Sequence, residues 1–394
     1  MVKSDVKVAL VHDWFLSNSI SGAEKVTIAL DKYISKNFSE PELYSLTENI
    51  SNSKNKLFDG RQIKTSFLQK LPYGKNSVQK YLSLIPFAIE QLNLSKFDLI
   101  ISSSHIAAKG VLTSPDQLHI SYIHTPMRYA WDQMNTYIEN STYKKIGLEI
   151  PLRYLLFKLR EWDFVSGNRP DILIANSTFT SRRIKKYWGK DSEVIFPPVE
   201  IERFKFNHAR SNFYLTVNRL VPNKRIDLLI EAFNKLNLPL IIVGEGPEKN
   251  NLKKIAGKNI TFNGKTTNKC IENLMSQCRA FVYPGVEDFG IAPVEAIAAG
   301  APVIGLARGG LLDSVNCLNN CTKNEIATGI LFQNQTSSDI VDTINWFEEK
   351  KIWKLFSPED MHNYSTKFSK ENFNHKVNNS IQRSWESFEK RYYR

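Results

Sequence analysis

The chain has 394 residues, more than a single hydrophobic core usually spans, so we expect two domains. A hydrophobic content of 42% and seven Trp exclude a disordered protein, and no apolar run reaches the roughly 18 residues of a membrane-spanning helix. The net charge of +12 favours an anionic partner, namely nucleic acid, an anionic membrane or a phosphorylated ligand.

The first residues, MVKSDVKVALVHD, have too short an apolar core for a signal peptide. We therefore expect a cytoplasmic protein, with the inner face of the plasma membrane as a candidate location. The four cysteines form no C-x-x-C pair and have no His at zinc-site spacing, which predicts reduced structural thiols and no metal site. They are Cys270, Cys278, Cys317 and Cys321.

The first predicted elements are a buried strand over residues 6–12 and a helix that opens at Ser21-Gly22-Ala23-Glu24. A strand, a glycine loop and a helix N-terminus together form a unit that receives anions.

Residues 54–82 combine basic and large apolar side chains. Between Lys54 and Lys80 seven Lys or Arg face a single acid, Asp59. Two interpretations remain open: a peripheral contact with an anionic membrane, or a solvated basic loop. A second basic cluster, residues 182–190, is predicted to be the solvated face of a helix.

Strands over 97–104, 118–124 and 171–177 alternate with helices, which predicts a parallel sheet covered by helices. The segment from His124 to Asp132, HTPMRYAWD, lies just past the end of a strand, where open α/β sheets bind ligands. A lone His in such a place is more often structural than functional.

Pro197-Pro198 indicates an interdomain linker, and a second α/β series begins at Phe213. In that series Arg219 and Lys224 lie between a strand and the helix IDLLIEAFNKL. The turn Gly244-Glu-Gly-Pro begins the next helix.

Residues 281–310, FVYPGVEDFGIAPVEAIAAGAPVIGLARGG, predict a strand, a loop, a helix and another strand. Glu287 lies in the loop and Glu295 in the helix. The helix N-terminus suits an anion, whereas the two carboxylates suit sugar or ribose hydroxyls. The alternative is an ordinary βα unit with surface acids.

The pattern E-D-F-G-I-x-P-x-E followed by A-x-x-A-G-x-P-V-I-G resembles the E-x7-E signature of the retaining GT-B glycosyltransferases that use nucleotide sugars, the glycosyl transferases group 1 family. The resemblance implies an α/β fold with two Rossmann-like domains whose parallel sheets face each other across a cleft that holds the site. It places residues 1–196 in an acceptor-side domain and 197–371 in a donor-binding domain, with a last helix, 372–394, crossing back to the first.

By the same resemblance, Arg219 and Lys224 bind the diphosphate, Glu295 the ribose, and Glu287 with the amides of residues 289–291 the sugar. The implied catalytic set is Arg219, Lys224, Glu287 and His124. The implied donor-binding set is Gly22, Gly244, Lys265, Thr266, Asp288, Phe289, Gly290, Ile291 and Glu295. Arg128 and Asp132 are candidates on the acceptor side.

The His124–Asp132 segment resembles the H-T-P-x-R-Y-x-W-D stretch of O-antigen and exopolysaccharide mannosyltransferases. The implied donor is GDP-mannose and the implied acceptor a lipid-linked saccharide, in cell-surface polysaccharide synthesis; a UDP-sugar is the rival donor. No D-x-D motif is present, so we expect no metal and no cofactor.

Other classes have less support. A GT-B nucleotide-sugar epimerase lacks the E-x7-E pattern, and a phosphorylase needs a pyridoxal-phosphate lysine context that the chain lacks. A nucleic-acid binder has only the net charge in its favour, without a helix-turn-helix, finger or RNA-binding signature.

Overall fold

The structure is a computed structural model that describes residues 6–16, 21–50, 57–139, 141–322 and 325–392. The chain forms two compact units, residues 1–197 with 373–394, and residues 198–372. Two cations of the basic segment, Lys54 and Lys56, lie outside the described residues.

The first unit is built on a parallel sheet. Its described strands are β1 (Val8–Phe15), β2 (Glu42–Glu48), β3 (Ile63–Thr65), β4 (Leu99–Ser104), β5 (Leu118–Ile123), β6 (Ile172–Ala175) and β7 (Glu193–Val194). Their order across the sheet is β3-β2-β1-β4-β5-β6-β7. Strands β1, β4 and β5 are buried along their whole length, as a parallel sheet covered on both faces requires.

Helices cover both faces of this sheet. They are α1 (Gly22–Asn37), α2 (Gly74–Ser77), α3 (Ile85–Glu90), α4 (Met134–Glu139), α5 (Thr142–Lys145), α6 (Glu149–Gly167) and α7 (Thr178–Trp188). One hydrophobic layer joins α3, α4 and α6 to the face that carries Ala9 and Val11. The opposite layer joins α1 to the face that carries Val8 and Leu10.

The second unit repeats this architecture without repeating the sequence. Its described strands are β8 (Tyr214–Val217), β9 (Leu240–Val243), β10 (Ile260–Gly264), β11 (Ala280–Tyr283), β12 (Val303–Leu306) and β13 (Gly329–Phe332), in the order β10-β9-β8-β11-β12-β13. Its helices are α8 (Ile226–Leu236), α9 (Lys249–Ile255), α10 (Asn268–Gln277), α11 (Ile291–Ala298), α12 (Leu311–Ser314), α13 (Ser337–Glu349) and α14 (Pro358–Ser365). The predicted α/β class with two Rossmann-like parallel sheets is confirmed.

The last helix, α15 (Lys370–Tyr392), packs in the first unit. Phe373, Val377, Ile381 and Trp385 recur every fourth residue and are buried in the same layer as α1. This spacing places them on one side of the helix, so burying that side fixes α15 to the first sheet.

Each sheet contains one point where the strand order reverses, between β1 and β4 in the first unit and between β8 and β11 in the second. Open α/β sheets bind their ligands at the carboxyl ends of the strands beside such a point. Ligand-binding residues are therefore expected at these two edges.

Candidate active site

In the second unit, four loops that follow parallel strands carry most of the residues predicted to bind the donor. In order from β8 to β11, the residues are Arg219 and Lys224, Gly244, Lys265 and Thr266, and Glu287 to Ile291. Because β8 to β11 are all parallel, these loops lie at one edge of the sheet. The loops after β8 and β11 are direct neighbours at the reversal point.

Lys224 and Glu287 form an ion pair at this reversal point. Tyr283, the last residue of β11, completes the cluster: its hydroxyl donates to Glu287 Oε1 at 2.7 Å and accepts from Lys224 Nζ at 3.2 Å. Both charged side chains are less than a fifth exposed. The sequence analysis missed Tyr283, because the end of an apolar strand also fits a core residue.

Gly309 and Gly310 hold the loop that carries Glu287 in place. A Cβ on Gly310 would overlap Phe289, and one on Gly309 would overlap the Glu287 carbonyl, to which the Gly310 amide donates at 2.8 Å. This close approach of two backbone segments requires glycine. The amides at the start of α11 are thereby presented at the same edge as the ion pair.

Asp288 and Phe289 are buried. The Phe289 ring packs edge-on against Phe368, with centroids 5.5 Å apart, so its side chain belongs to the core. Of Phe289, only the backbone is placed to contact a ligand.

Glu295 lies within α11 and is buried to about nine-tenths. Arg203 Nη2 is 4.0 Å from Glu295 Oε1, and Arg203 Nε is 3.2 Å from Glu272 Oε1. The same guanidinium also pairs with Glu200 at 3.4 Å, so it lies among three carboxylates. Arg203 was also missed, because it comes from a short 3-10 turn far from the motif in sequence.

Arg219 is exposed, and within the described chain it pairs with no carboxylate. Lys265 is also exposed and Thr266 is half-buried. At Gly244 the φ angle is +139°, and a Cβ there would overlap the Asn218 carbonyl, so the loops after β8 and β9 touch through their backbones.

In the first unit, His124 is buried directly after β5. Its Nε2 is 2.8 Å from Ser103 Oγ, and its carbonyl accepts from Asn176 Nδ2 at 3.0 Å. Burial, followed by the charge of the nearby His12, lowers the pKa of His124 well below its ordinary value. Its imidazole is therefore neutral at pH 7.

Asp13 organises the reversal point of the first sheet, and the sequence analysis did not single it out. Its carboxylate accepts hydrogen bonds from four consecutive backbone amides, residues 105–108, at 2.6–2.9 Å. Burial raises the pKa of Asp13, but the charge of His105 and the contact with it outweigh burial and hold the pKa well below its usual range. The signal that could have identified Asp13 is a carboxylate within the otherwise mainly apolar strand VALVHDWF.

Gly22 is the first residue of α1, and Ser21 before it forms a capping box with Glu24. Residues 17–20, the rest of the predicted glycine loop, lie outside the described residues.

The second basic cluster requires a correction at Arg183, which is buried and not on a solvated face. It donates to Asp132 Oδ1 at 2.8 Å and to Thr125 Oγ1 at 2.6 Å. Arg128 Nε is 3.4 Å from the same Thr125 hydroxyl. The structure therefore brings Arg128 and Asp132 together around Thr125, with Arg183 as the residue that connects them.

Among the described residues, no three His, Cys, Asp or Glu side chains are arranged to hold a metal ion. Within the same ranges, no helix is long and apolar enough to cross a bilayer.

Residues 198–368 match the family described as Glycosyl transferases group 1. The chain is similar to the alpha-1,3/1,6-mannosyltransferase ALG2 of Candida glabrata, with 25% identity over 41% of this chain and 47% of that protein. It is also similar to a GDP-mannose-dependent monoacylated alpha-(1-6)-phosphatidylinositol monomannoside mannosyltransferase of Corynebacterium glutamicum, with 28% identity over 38% of this chain and 48% of that protein. The chain thus spans about half the length of these curated relatives.

Among solved structures, Alr3699/HepE of Anabaena in complex with UDP is similar, with a TM-score of 0.64 and 15% identity. The similarity covers 95% of this chain and 99% of that one. At this identity the likeness shows the fold alone, and it extends over both units.

Proposed function

Because residues 198–368 match the Glycosyl transferases group 1 family, we propose that the protein transfers a sugar from a nucleotide donor to a saccharide acceptor. The observation that carries the proposal is the Lys224–Tyr283–Glu287 cluster at the reversal point of the second sheet. It sets a cation and a carboxylate beside a helix N-terminus, a combination that suits a ligand with both phosphate and hydroxyl groups.

Each part of the donor would be bound by side chains of complementary charge. Arg219 and Lys224 take the diphosphate, whose negative charge grows as the sugar leaves. In the ligand-free protein the Lys224 ammonium is paired with Glu287, so the diphosphate would compete for it. Glu287, freed in this way, would accept hydrogen bonds from the sugar hydroxyls, and the amides of residues 289–291 would donate hydrogen bonds to them.

Glu295 would accept hydrogen bonds from the ribose hydroxyls. The Gly244 turn and the backbone at Lys265-Thr266 would line the pocket for the base. In the first unit, Gly22 would approach the diphosphate and neutral His124 the donor sugar, while Arg128 and Asp132 would serve the acceptor.

The proposed reaction retains the anomeric configuration. The bond between the sugar and the phosphate breaks first, and the acceptor oxygen attacks the resulting oxocarbenium ion on the face that the phosphate leaves. The leaving phosphate takes the acceptor's proton, so no protein nucleophile is needed. Arg219 and Lys224, with the α11 N-terminus, supply the positive charge, which makes a metal ion unnecessary in this proposal.

GDP-mannose is the proposed donor, supported by the two mannosyltransferase relatives. The acceptor would be a lipid-linked saccharide in cell-surface polysaccharide synthesis, met at the inner face of the plasma membrane through residues 54–82. A UDP-sugar is the second candidate, because the HepE structure of the same fold holds UDP.

A thermal-shift panel of GDP, UDP, ADP and their sugar conjugates separates these donors. A true donor at about 100 times its Kd should stabilise the protein by about 2.7 kcal/mol. A shift confined to GDP and GDP-mannose is the expected result. A shift confined to UDP compounds would change the donor but keep the class, and no shift with any nucleotide would contradict the transferase proposal.

Glu295→Ala should raise the KM for the donor about 10- to 100-fold while kcat changes less, because the hydrogen bonds that it loses are made in the ground state as well. Glu272→Ala is the matched control, since Glu272 is another carboxylate that pairs with Arg203 and has no proposed ligand. Steady-state kinetics with varied donor measure both. Equal KM values for the two variants would remove Glu295 from the ribose site.

A further inference from the structure

The large apolar side chains that the first unit exposes are confined to one side of its sheet. They are Phe67, Tyr73, Leu84, Phe87, Leu112, Tyr143, Ile146, Leu148, Ile150, Tyr154, Phe157, Phe164 and Val165. Most of them belong to segments whose buried residues form the hydrophobic layer beneath α3 and α6, and Tyr143, Ile146 and Leu148 lie in the stretch that leads into α6. Within the described residues, α1 and α15, which pack on the opposite face of the sheet, contribute none, and neither does α7, which packs beside α6. A concentration of this kind marks an interaction site.

Helix α6 is apolar on two opposite sides. Its buried side carries Leu152, Leu156 and Leu159, which pack into the layer under the sheet. Ile150, Tyr154, Phe157 and Phe164 follow the same helical spacing on the other side and are 80%, 63%, 43% and 49% exposed. At about 100° per residue, the two sets lie roughly half a turn apart. Packing within the first unit explains the buried leucines of α6 but not the exposed apolar side chains.

Basic side chains border the exposed stripe of α6. Arg153 and Lys158 lie on either side of it, and Lys158 Nζ is 5.1 Å from the centroid of the Phe157 ring. Both also pair with helix acids, Arg153 with Glu149 and Lys158 with Glu161.

The basic segment from residue 61 to 82 lies over the same side of the sheet as α6. It exposes Lys70, Lys75 and Lys80 and contains no acid. Lys80 Nζ is 4.4 Å from the centroid of the exposed Tyr73 ring. Helix α3, which follows this segment in the chain, is tied to α6 through Glu90, which accepts from the Trp162 indole at 2.9 Å and pairs with Arg169, just past α6, at 2.7 Å.

We infer that the exposed stripe of α6 is the principal membrane contact of this protein and that it lies in the headgroup region of an anionic bilayer. The inference rests on the membrane contact included in the proposed function, but it assigns the apolar insertion to a different segment from residues 54–82. Aromatic and aliphatic side chains enter the boundary of the acyl chains, and the neighbouring lysines and arginines meet lipid phosphates. A second copy of the chain fits less well, because the exposed lysines of residues 61–82 on the same side of the sheet would face those of the other copy.

Vesicle flotation of the full chain tests the inference. The vesicles contain phosphatidylcholine alone or with about 30% phosphatidylglycerol. We expect binding to the anionic vesicles that weakens at high salt, and a loss of about 10-fold or more in the double variant Tyr154→Ser with Phe157→Ser. The matched control is Ile255→Ser with Leu355→Ser, two equally exposed apolar residues of the second unit, which should bind like the unmodified protein.

Two further readouts make every outcome decisive. Equal binding of the α6 variant and the control, or no binding of the unmodified protein, would overturn the inference. Light scattering that shows a dimer converted to monomer by the α6 variant would assign the stripe to a second copy instead. Nucleotide thermal shifts should be the same in all variants; if nucleotides fail to bind but flotation holds, the donor proposal fails and the membrane contact stands.

Discussion

Lys224→Ala is expected to lower kcat about 100-fold or more, the typical loss when a fixed charge that stabilises a transition state is removed. The Tyr283 hydroxyl, 3.2 Å from the Lys224 ammonium, helps to keep this cation at the reversal point when it turns from Glu287 to the leaving diphosphate. Removing it also leaves the largely buried Glu287 carboxylate without its cation, beside an anionic ligand. Both effects disfavour the transition state, and steady-state kinetics with the donor identified by the nucleotide panel measure their sum.

Arg225→Gln is the control for this prediction. Arg225 is the next residue, also a cation, and it pairs with Asp227 at 2.9 Å on the first turn of α8. Its φ of +52° strains the backbone equally with Arg or Gln at this position, so the substitution removes the charge without changing the backbone strain. We expect turnover within a few-fold of the unmodified protein. Near-normal turnover of Lys224→Ala would exclude the proposed role of Lys224, and an equal loss in both variants would indicate a general charge effect.

Much of the second unit could be predicted because its signals are local. Glu287, the α11 N-terminus and Glu295 lie within nine residues, and glycine and proline mark the ends of the elements around them. The strands β8, β11 and β12 are short apolar runs next to such marks, so their existence followed from the pattern even where their ends shifted by one or two residues.

Tyr283 apart, the missed residues share a physical reason: Asp13, Arg183 and Arg203 each act through a partner that is distant in sequence. Asp13 caps a turn more than 90 residues away, and Arg183 reaches a segment more than 50 residues before it. No single-chain pattern shows that a buried strand will carry a carboxylate or that one arginine of a basic helix will turn inwards. Only the parallel order of the strands brings these groups together.

The strands β2, β3, β7 and β13 were not predicted either. β3 and β7 have three and two residues, too short for a periodic signal. β3 also lies within residues 54–82, which were interpreted from their basic side chains as a membrane contact or a solvated loop. The sequence of β2, ELYSLTE, mixes polar and apolar side chains and so does not look like a buried strand. Its interior is nevertheless buried, including the polar Ser45 and Thr47.

The second large effect is expected from a buried ion pair that fixes the His124–Asp132 segment. Lys109 and Asp163 are almost fully buried, 2.7 Å apart, and Asp163 Oδ2 also accepts from the indoles of Trp131 at 2.8 Å and Trp188 at 2.9 Å. Lys109→Met removes the cation and leaves a buried carboxylate uncompensated, which costs about 3–5 kcal/mol. For a domain of this size that corresponds to a fall in Tm of roughly 6 to 20 °C, measured by calorimetry.

Lys158→Met is the control, with the same substitution on α6 at an exposed pair, Lys158 with Glu161 at 2.9 Å. Water and salt screen an exposed pair of this kind, so its loss should change Tm by only a few degrees. Equal shifts in the two variants would contradict the structural role of the buried pair. In Lys109→Met the Trp131 indole still donates to Asp163, but this carboxylate has lost its cation, so the environment of the Trp131 ring, which stacks on Tyr187 with centroids 4.5 Å apart, should change. Tryptophan fluorescence below the transition temperature would then differ between the two variants, linking the buried charge to the order of the segment that carries Arg128 and Asp132.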